Sequence, residues 1–565
     1  MPNATPWWGR ISLLWLMAVP LCVIIYNLCV PIAANDFWYH ARAGSLTATT
    51  GHIPTTNTFS AGIAADWPYF YQNWLGELIM YKVLQHGGLA WTVTLRSLCM
   101  GFTYAILILA IYRRCCRVAS AQLTPTQALE TSVARCTALG ALATLSMSAN
   151  NMDVRPQMFS FPLFALFAAA LLEWPYASRR ARGAMTAVLP LCMMLWANLH
   201  GAFFTGLLVV TGSFVGEIIY SWWCKRGGRG AFLCGPPLER GALRQLGLLV
   251  LWCVVAAMVN SRGPLIYPYV VQLSTNETVQ KFIVEWQPPT LHETGSVAFF
   301  GSFVVLALLF LAVLRRESAP ADRDSTAPEN SILGFRFSEL LILAALATMG
   351  WRNARAIVWY ALYCGPLLAT LVLVVILKVR RPSTQVVTTP PTAVYVMNAV
   401  MAVLMLSLII PALPWLKPAL PWPDGYRKHF APTPAGVFPT GFSNDPSLLI
   451  ERDTPVAAAE FLRRQPPRGR LFNEMVFGSY LTWALQPQRV SYADPRIELY
   501  PTAFWDDYRW LCSGPPDAAS ILERRGFTDA LLDVDLQPQL IRRLQAAPRW
   551  QLVLRENRAR LFRYK

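Results

Sequence analysis

Long apolar stretches alternate with short polar ones along the first three quarters of the chain. Eleven stretches approach the roughly 20 apolar residues that a membrane-spanning helix needs: 11–33, 89–112, 134–150, 157–174, 184–200, 202–223, 246–260, 296–314, 337–351, 356–378 and 393–413. Those at 134–150, 246–260 and 337–351 are short, so they borrow polar flanks or one of them is re-entrant. The pattern changes at Pro414. "PWLKPALPWPDGYRKHFAPTPAG" is proline-rich and has no helical period, so 414–453 reads as an extended connector. From Thr454 the periods shorten and alternate. Thr454-Pro455 opens a helix through "VAAAEFLRRQ". "GRLFNE" and "QRVSYA" read as strands around a helix, "FGSYLTWAL", and "AASILERRG" ends a helix at Gly526. "DALLDV", "WQLVLRE" and "ARLFRY" read as further strands, with "QPQLIRRLQ" helical between the first two. The fold expected is mostly α: a polytopic transmembrane bundle over 1–413, then a small α/β domain over 454–565.

Composition agrees with a membrane protein. The chain is 54% hydrophobic and 14% charged, against about 25% charged in a soluble domain. A net charge of +17 raises nucleic acid as a partner, but its placement argues otherwise. One set of loops carries Arg10; Arg113, Arg114 and Arg117; Arg179, Arg180 and Arg182; Lys225, Arg226, Arg229, Arg240 and Arg244; Arg315, Arg316, Arg323 and Arg336; and Lys378, Arg380 and Arg381. The opposite set is sparse in bases. The rich set is expected in the cytoplasm, which puts the N-terminus inside and the C-terminal domain outside. Arg10 and the run after it lack a small-residue cleavage pattern, so the first span is read as uncleaved. Of 12 cysteines only Cys512 lies in the polar C-terminal part, and no CxxC occurs. Neither a disulfide framework nor a zinc site is expected.

The outer loops, 34–88, 150–156 and 261–295, carry the candidate chemistry. "NDFWYHARAGSLTATTG" reads as an interfacial helix ending at Gly51, with Asn35 as cap and Asp36 and His40 on one face. That puts a carboxylate at the level of a lipid phosphate, where it can serve as a general base; a cap on an amphipathic helix explains it as well. Glu77 begins an apolar helix, where the dipole alone favours an acid. Asp153 and Arg155 sit in a very short loop, and Arg155, before Pro156, is extended. His200 occupies a tight turn. Lys281, Glu285, Trp286 and His292 come from one loop. Arg352 and Arg355 offer planar forks for a phosphate, or simple anchors at the headgroups.

"DFWYH", "GHIPTTNTFS" and "NWLGELIMY" together resemble the GT-C superfamily of polytopic glycosyltransferases, and within it a poorly characterised bacterial group with a C-terminal periplasmic domain. The matching residues are Asp36, Trp38, His40, Gly51, Ile53, Pro54, Phe59, Ser60, Trp74, Leu75 and Glu77. "VRPQMFSF", "WANLHGAF", "FIVEWQPP" and "GRLFNEMVFGSYLTWAL…RVSYADPRIELY" extend the likeness over nearly the whole chain. Asn57 and Asn73 stand where acids are common, and the Trp-Trp-Asp-Tyr-Gly signature of oligosaccharyltransferases is absent. The resemblance implies inverting transfer of a sugar from a polyprenyl-phosphate donor to a hydroxyl of a glycan, lipid or protein, on the outer face of the bacterial cytoplasmic membrane. Asp36 would be the general base, with His40 orienting it or hydrogen-bonding the phosphate. Arg155, Arg352 and Arg355 would hold the donor phosphate. Glu77, Asp153, His200, Lys281, Glu285 and Trp286 would shape the acceptor side. A divalent metal on Asp36, Asp153 and Glu285 stays open, as do a transporter or flippase of lipid-linked glycans and a non-catalytic assembly protein.

Overall fold

The structure, a computed structural model, describes residues 11–120, 127–226, 234–315, 335–379, 391–430, 448–488 and 490–565. Arg10, Arg229, Arg316, Arg323, Arg380, Arg381 and residues 431–447 of the connector lie outside the described residues. Each of the eleven apolar stretches falls on a helix. In chain order these are α1 (Ile11–Cys29), then α3 (Trp74–Ser120) after a shorter α2 (Phe37–Thr50), α4 (Gln127–Ser148), α5 (Ser160–Glu173), α6 (Arg179–Leu199), α7 (Phe203–Lys225) and α8 (Arg240–Ala257). The loop helices α9 (Ile266–Ser274) and α10 (Glu277–Phe282) precede α11 (Thr294–Arg315), α12 (Phe337–Arg352), α13 (Ile357–Val379) and α14 (Pro391–Ala412). Among the described residues, 7 segments combine the length and hydropathy to cross a membrane. They cover α3, α5, α7, α8, α11, α13 and α14; α1 is apolar but shorter.

α13 is the centre of the bundle, with 78% of its apolar window buried. It packs on α4 through paired glycines. A Cβ on Gly140 would lie 2.8 Å from Gly365 O, and one on Gly365 2.3 Å from Thr144 Oγ1. Small residues let the backbones approach, as membrane helices require where no water drives association. α3 breaks at Gly88, whose φ of 65° is left-handed. Its first part carries Glu77, and the rest runs through the bundle. At the far end two buried ion pairs tie helices together: Arg114 with Glu339, down to 2.6 Å, and Arg336 with Glu217 at 2.7 Å.

The C-terminal domain contains α15 (Val456–Arg464), α16 (Met475–Ala484), α17 (Thr502–Cys512), α18 (Ala518–Arg524) and α19 (Pro538–Ala546) around strands β1 (Arg470–Asn473), β2 (Phe527–Asp533), β3 (Trp550–Glu556) and β4 (Ala559–Tyr564). The sheet order is β1-β2-β4-β3. β1 and β2 are parallel, and the other pairs are antiparallel. Among the described residues of "QRVSYA" the expected strand is not formed. Its backbone is drawn to side chains and to the first loop: Tyr492 N donates to Asn473 Oδ1 at 2.6 Å, and Ser491 O accepts from Ala61 N at 2.7 Å.

α2 is a helix ending at Gly51, whose φ is 71°. It does not lie on a lipid surface. Phe37, Trp38 and Ala41 are fully buried, because α2 is sandwiched between α3 and α16 of the C-terminal domain. Tyr39 N donates to Ser479 Oγ at 3.1 Å, and Arg42 donates to Gln486.

Candidate active site

Asp36 takes the N-cap position of α2 but makes no side-chain cap. Its Oδ2 faces Arg155 Nε at 3.5 Å instead. Asn35 does not cap either; its amide donates to Asp153 Oδ2 at 3.2 Å. Arg155 is extended, at φ −138° and ψ 158°, because Pro156 excludes the helical region for the residue before it. That sends its guanidinium across the end of the bundle. Nη2 meets Asp153 at 3.1 Å, and Nη1 meets Glu285 Oε2 at 3.1 Å. Glu285 also lies 3.7 Å from Arg355 Nη1, so its carboxylate bridges two arginines. Arg355 Nε donates to Gln157 Oε1 at 2.9 Å. Burial opposes the charge on Arg155, but Asp36, Asp153 and Glu285 outweigh it and raise its pKa. Burial likewise resists ionisation of Glu285, and Arg355 and Arg155 overcome it, so its pKa is lowered. Both groups stay charged at neutral pH.

Asn151, Asp153, Arg155, Gln157 and Glu285 line a small, half-open cleft. Asn151 also borders a second small pocket, whose other walls are Met100, Met152, Phe161, Val358 and Leu362 with Thr103, Tyr104 and Ser148. A charged cleft therefore adjoins an apolar one inside the bundle. Arg155 Nε is buried and makes no hydrogen bond among the described residues; its charged contact there is the ion pair with Asp36. Asp36, Asp153 and Glu285, the set considered for a divalent metal, converge on this guanidinium, which fills the place a cation would need. They do not fit a metal in this arrangement.

Beside the cleft His40 Nδ1 lies 2.8 Å from Glu77 Oε1. His200 is held at its turn by Ser160 Oγ, 3.0 Å from its Nδ1. Burial, then Arg355 and His40, push its pKa well below the usual value, so it is neutral. Three expected residues are placed elsewhere. Arg352 is exposed on the last turn of α12, and among the described residues it joins none of the cleft's ion pairs; Asn353 breaks the helix and turns Arg355, not Arg352, inward. Lys281 pairs with Asp506 of the C-terminal domain at 2.9 Å, on the surface. Trp286 packs against the core of the C-terminal domain.

The structure adds residues the sequence reading passed over. Gln157 sits inside the quoted "VRPQMF" and orients Arg355. Glu498, from "PRIELY", reaches in from the C-terminal domain and accepts from Tyr69 OH at 2.8 Å. Burial raises its pKa, and Asp36 is near enough to add to that rise. The quoted likeness of "RIELY" was the available signal; no local pattern marked Glu498 as a site residue.

No family model matches the sequence, and no curated protein matches it. Among solved structures, that of ArnT from Cupriavidus metallidurans bound to undecaprenyl phosphate is similar over 97% of this chain and 97% of its own, at 15% identity and a TM-score of 0.43.

Proposed function

We propose that this chain is a membrane glycosyltransferase that moves a sugar from a polyprenyl-phosphate donor to an acceptor hydroxyl, at the outer face of the cytoplasmic membrane. One observation carries the reading. A carboxylate, Glu285, bridges Arg155 and Arg355 beside a cleft lined by charged and amide side chains. Two arginines held around one anion form a seat for a phosphate. Glu285 is 42% exposed at its side chain and can yield to a ligand.

With the donor phosphate on Arg155 and Arg355, the leaving oxygen gathers negative charge against two fixed cations. Such preorganised contacts each lower a barrier by about 3 to 4 kcal/mol. Asp36, beside Arg155, is the general base for the acceptor hydroxyl. The sequence likeness of "DFWYH…GHIPTTNTFS…NWLGELIMY" to glycosyltransferases of the GT-C kind supports sugar transfer over transport. The test is a panel of radiolabelled undecaprenyl-phosphate sugars offered to membranes holding the full-length chain. Asp36→Asn is expected to insert normally and to lose transfer by at least about a hundredfold. Transfer by Asp36→Asn at the wild-type rate would remove Asp36 as base. If no donor on the panel is consumed by the wild type, the transferase reading fails.

A further inference from the structure

Glu77 is the buried acid that the reaction above leaves unused. It is 3% exposed. Its Oε1 lies 2.8 Å from His40 Nδ1, while Oε2 is buried and bonds to nothing among the described residues. A pin between α2 and α3 needs only one hydrogen bond, and a neutral side chain makes that with less desolvation. A carboxylate does something a neutral group does not. It fixes Nδ1 as the protonated nitrogen, leaves Nε2 as a lone-pair acceptor, and stabilises the imidazolium once a proton arrives. His40 stands one turn after Asp36 on the same face; its backbone N–H donates to Asp36 O at 3.2 Å.

We propose that Glu77 and His40 form an acid–base dyad that takes the acceptor proton on from Asp36. This rests on the transferase reading. In the step, the acceptor O–H bond breaks and its electron pair makes the new bond to the sugar's anomeric carbon. The bond from that carbon to the phosphate oxygen breaks, and its pair leaves with the polyprenyl phosphate. The proton goes to the Asp36 carboxylate, which faces Arg155 and does not touch the His40 ring. A water entering with the substrates therefore carries it on to His40 Nε2, and solvent takes it up as the site opens for the next turnover. His40 accepts the proton; Glu77 is a positioning residue. Asp36 and Tyr39 face the pair from its own helix, and His200 from the α6–α7 turn. Glu498 and Arg496 of the C-terminal domain act on Tyr39 from beyond it.

The test uses the full-length chain in lipid nanodiscs. Histidine ¹⁵N NMR, with the His40 signal assigned by its loss in His40→Gln, reports the tautomer. The wild type is expected to carry the proton on Nδ1 with Nε2 bare, and Glu77→Gln to shift His40 toward the other tautomer. Single-turnover transfer from the undecaprenyl-phosphate sugar found active on the panel is then followed against pH. Glu77→Gln is expected to slow the chemical step about tenfold with donor KM unchanged, and to move the acid limb to lower pH. His40→Gln is expected to slow it about a hundredfold and to abolish that limb. Should Glu77→Gln fail to fold, Glu77→Asp keeps the charge, and the same tautomer and limb are expected, weakened. A wild-type tautomer and pH profile in Glu77→Gln, or a defect wholly in KM, overturns the dyad. If the wild type consumes no donor, the transferase reading falls, and the tautomer alone decides whether the pair exists.

Discussion

At the scale of single residues, the cleft holds its own competitor. Glu285 occupies the seat assigned to the donor phosphate and is partly exposed, at 42%. Displacing a partly exposed ion pair costs about 1 kcal/mol, roughly fivefold in affinity. Glu285→Gln is therefore expected to bind undecaprenyl phosphate about fivefold more tightly, measured by native mass spectrometry; unchanged or weaker binding would show that the bridging carboxylate builds the seat and does not block it. Glu474 makes a different kind of prediction, about pH. It caps α16 by accepting from Phe477 N at 3.0 Å. Burial, with Asp533 adding to it, lifts its carboxyl from 4.5 to about 7 despite that bond. The folded domain then keeps a proton that the unfolded chain gives up near its ordinary value. The stability this group supplies is full below about pH 4.5 and is lost as pH rises through about 7. Glu474→Gln keeps the cap and cannot titrate, so its melting temperature is expected to vary less than the wild type's between about pH 4.5 and 7. Parallel curves for the two proteins would mean that Glu474 does not titrate in that window.

Among the elements, α2 is the one on which the site depends, and a glycine sets its depth. A Cβ on Gly44 would stand 2.1 Å from Glu77 O and 2.8 Å from Tyr81 Cβ. Real side chains do not come so close, so Gly44→Ala must push α2 off α3. That lengthens the His40–Glu77 contact and shifts Asp36 from Arg155. Overpacking of this kind costs about 1 to 3 kcal/mol, too little to unfold a bundle of this size, while misplacement by about 1 Å can cost a hundredfold in rate. The variant is expected to stay folded by gel filtration and to lose most transfer; full activity would mean that α2 can slide without harm. The helix itself was legible beforehand, since Gly51 closes it with a left-handed φ. Its surroundings were not. Aromatic residues such as Trp38 read equally well as an interfacial belt or as a core, and only the C-terminal domain above them decides for the core. "QRVSYA" failed for a related reason. Its alternation suits a strand, but Asn473 and the first loop supply its hydrogen bonds, and those partners are distant in sequence.

For the whole molecule, the charged residues around the cleft could be named from sequence, but their partners could not. Asp36, Arg155, Glu285 and Arg355 come from four separate segments, and no local pattern states that Arg355 turns inward and Arg352 does not. The C-terminal domain was the least legible part. Its strands carry no site motif, yet it closes the site from above. Among the contacts that make this closure is one fully buried pair, Asp494 and Arg496, both with 0% side-chain exposure and 2.7 Å apart. Arg496 also donates to Tyr71 OH at 3.1 Å and lies over the rings of Phe59 and Tyr69, at 4.7 and 5.2 Å. The same first loop therefore rests on Arg496 and holds Glu498 through Tyr69. Removing one charge of a buried pair costs about 3 to 5 kcal/mol, whereas replacing both by apolar groups is often neutral or stabilising. Arg496→Met alone is thus expected to lower the melting temperature sharply, and Asp494→Leu with Arg496→Met to restore it. The restored protein still lacks the bond to Tyr71 and the cation over the two rings. Hydrogen exchange across residues 55–71 is expected to speed up in it, and transfer to remain low. If the double variant matches the wild type in both exchange and transfer, the pair serves stability alone and the domain does not hold the first loop in place for the reaction.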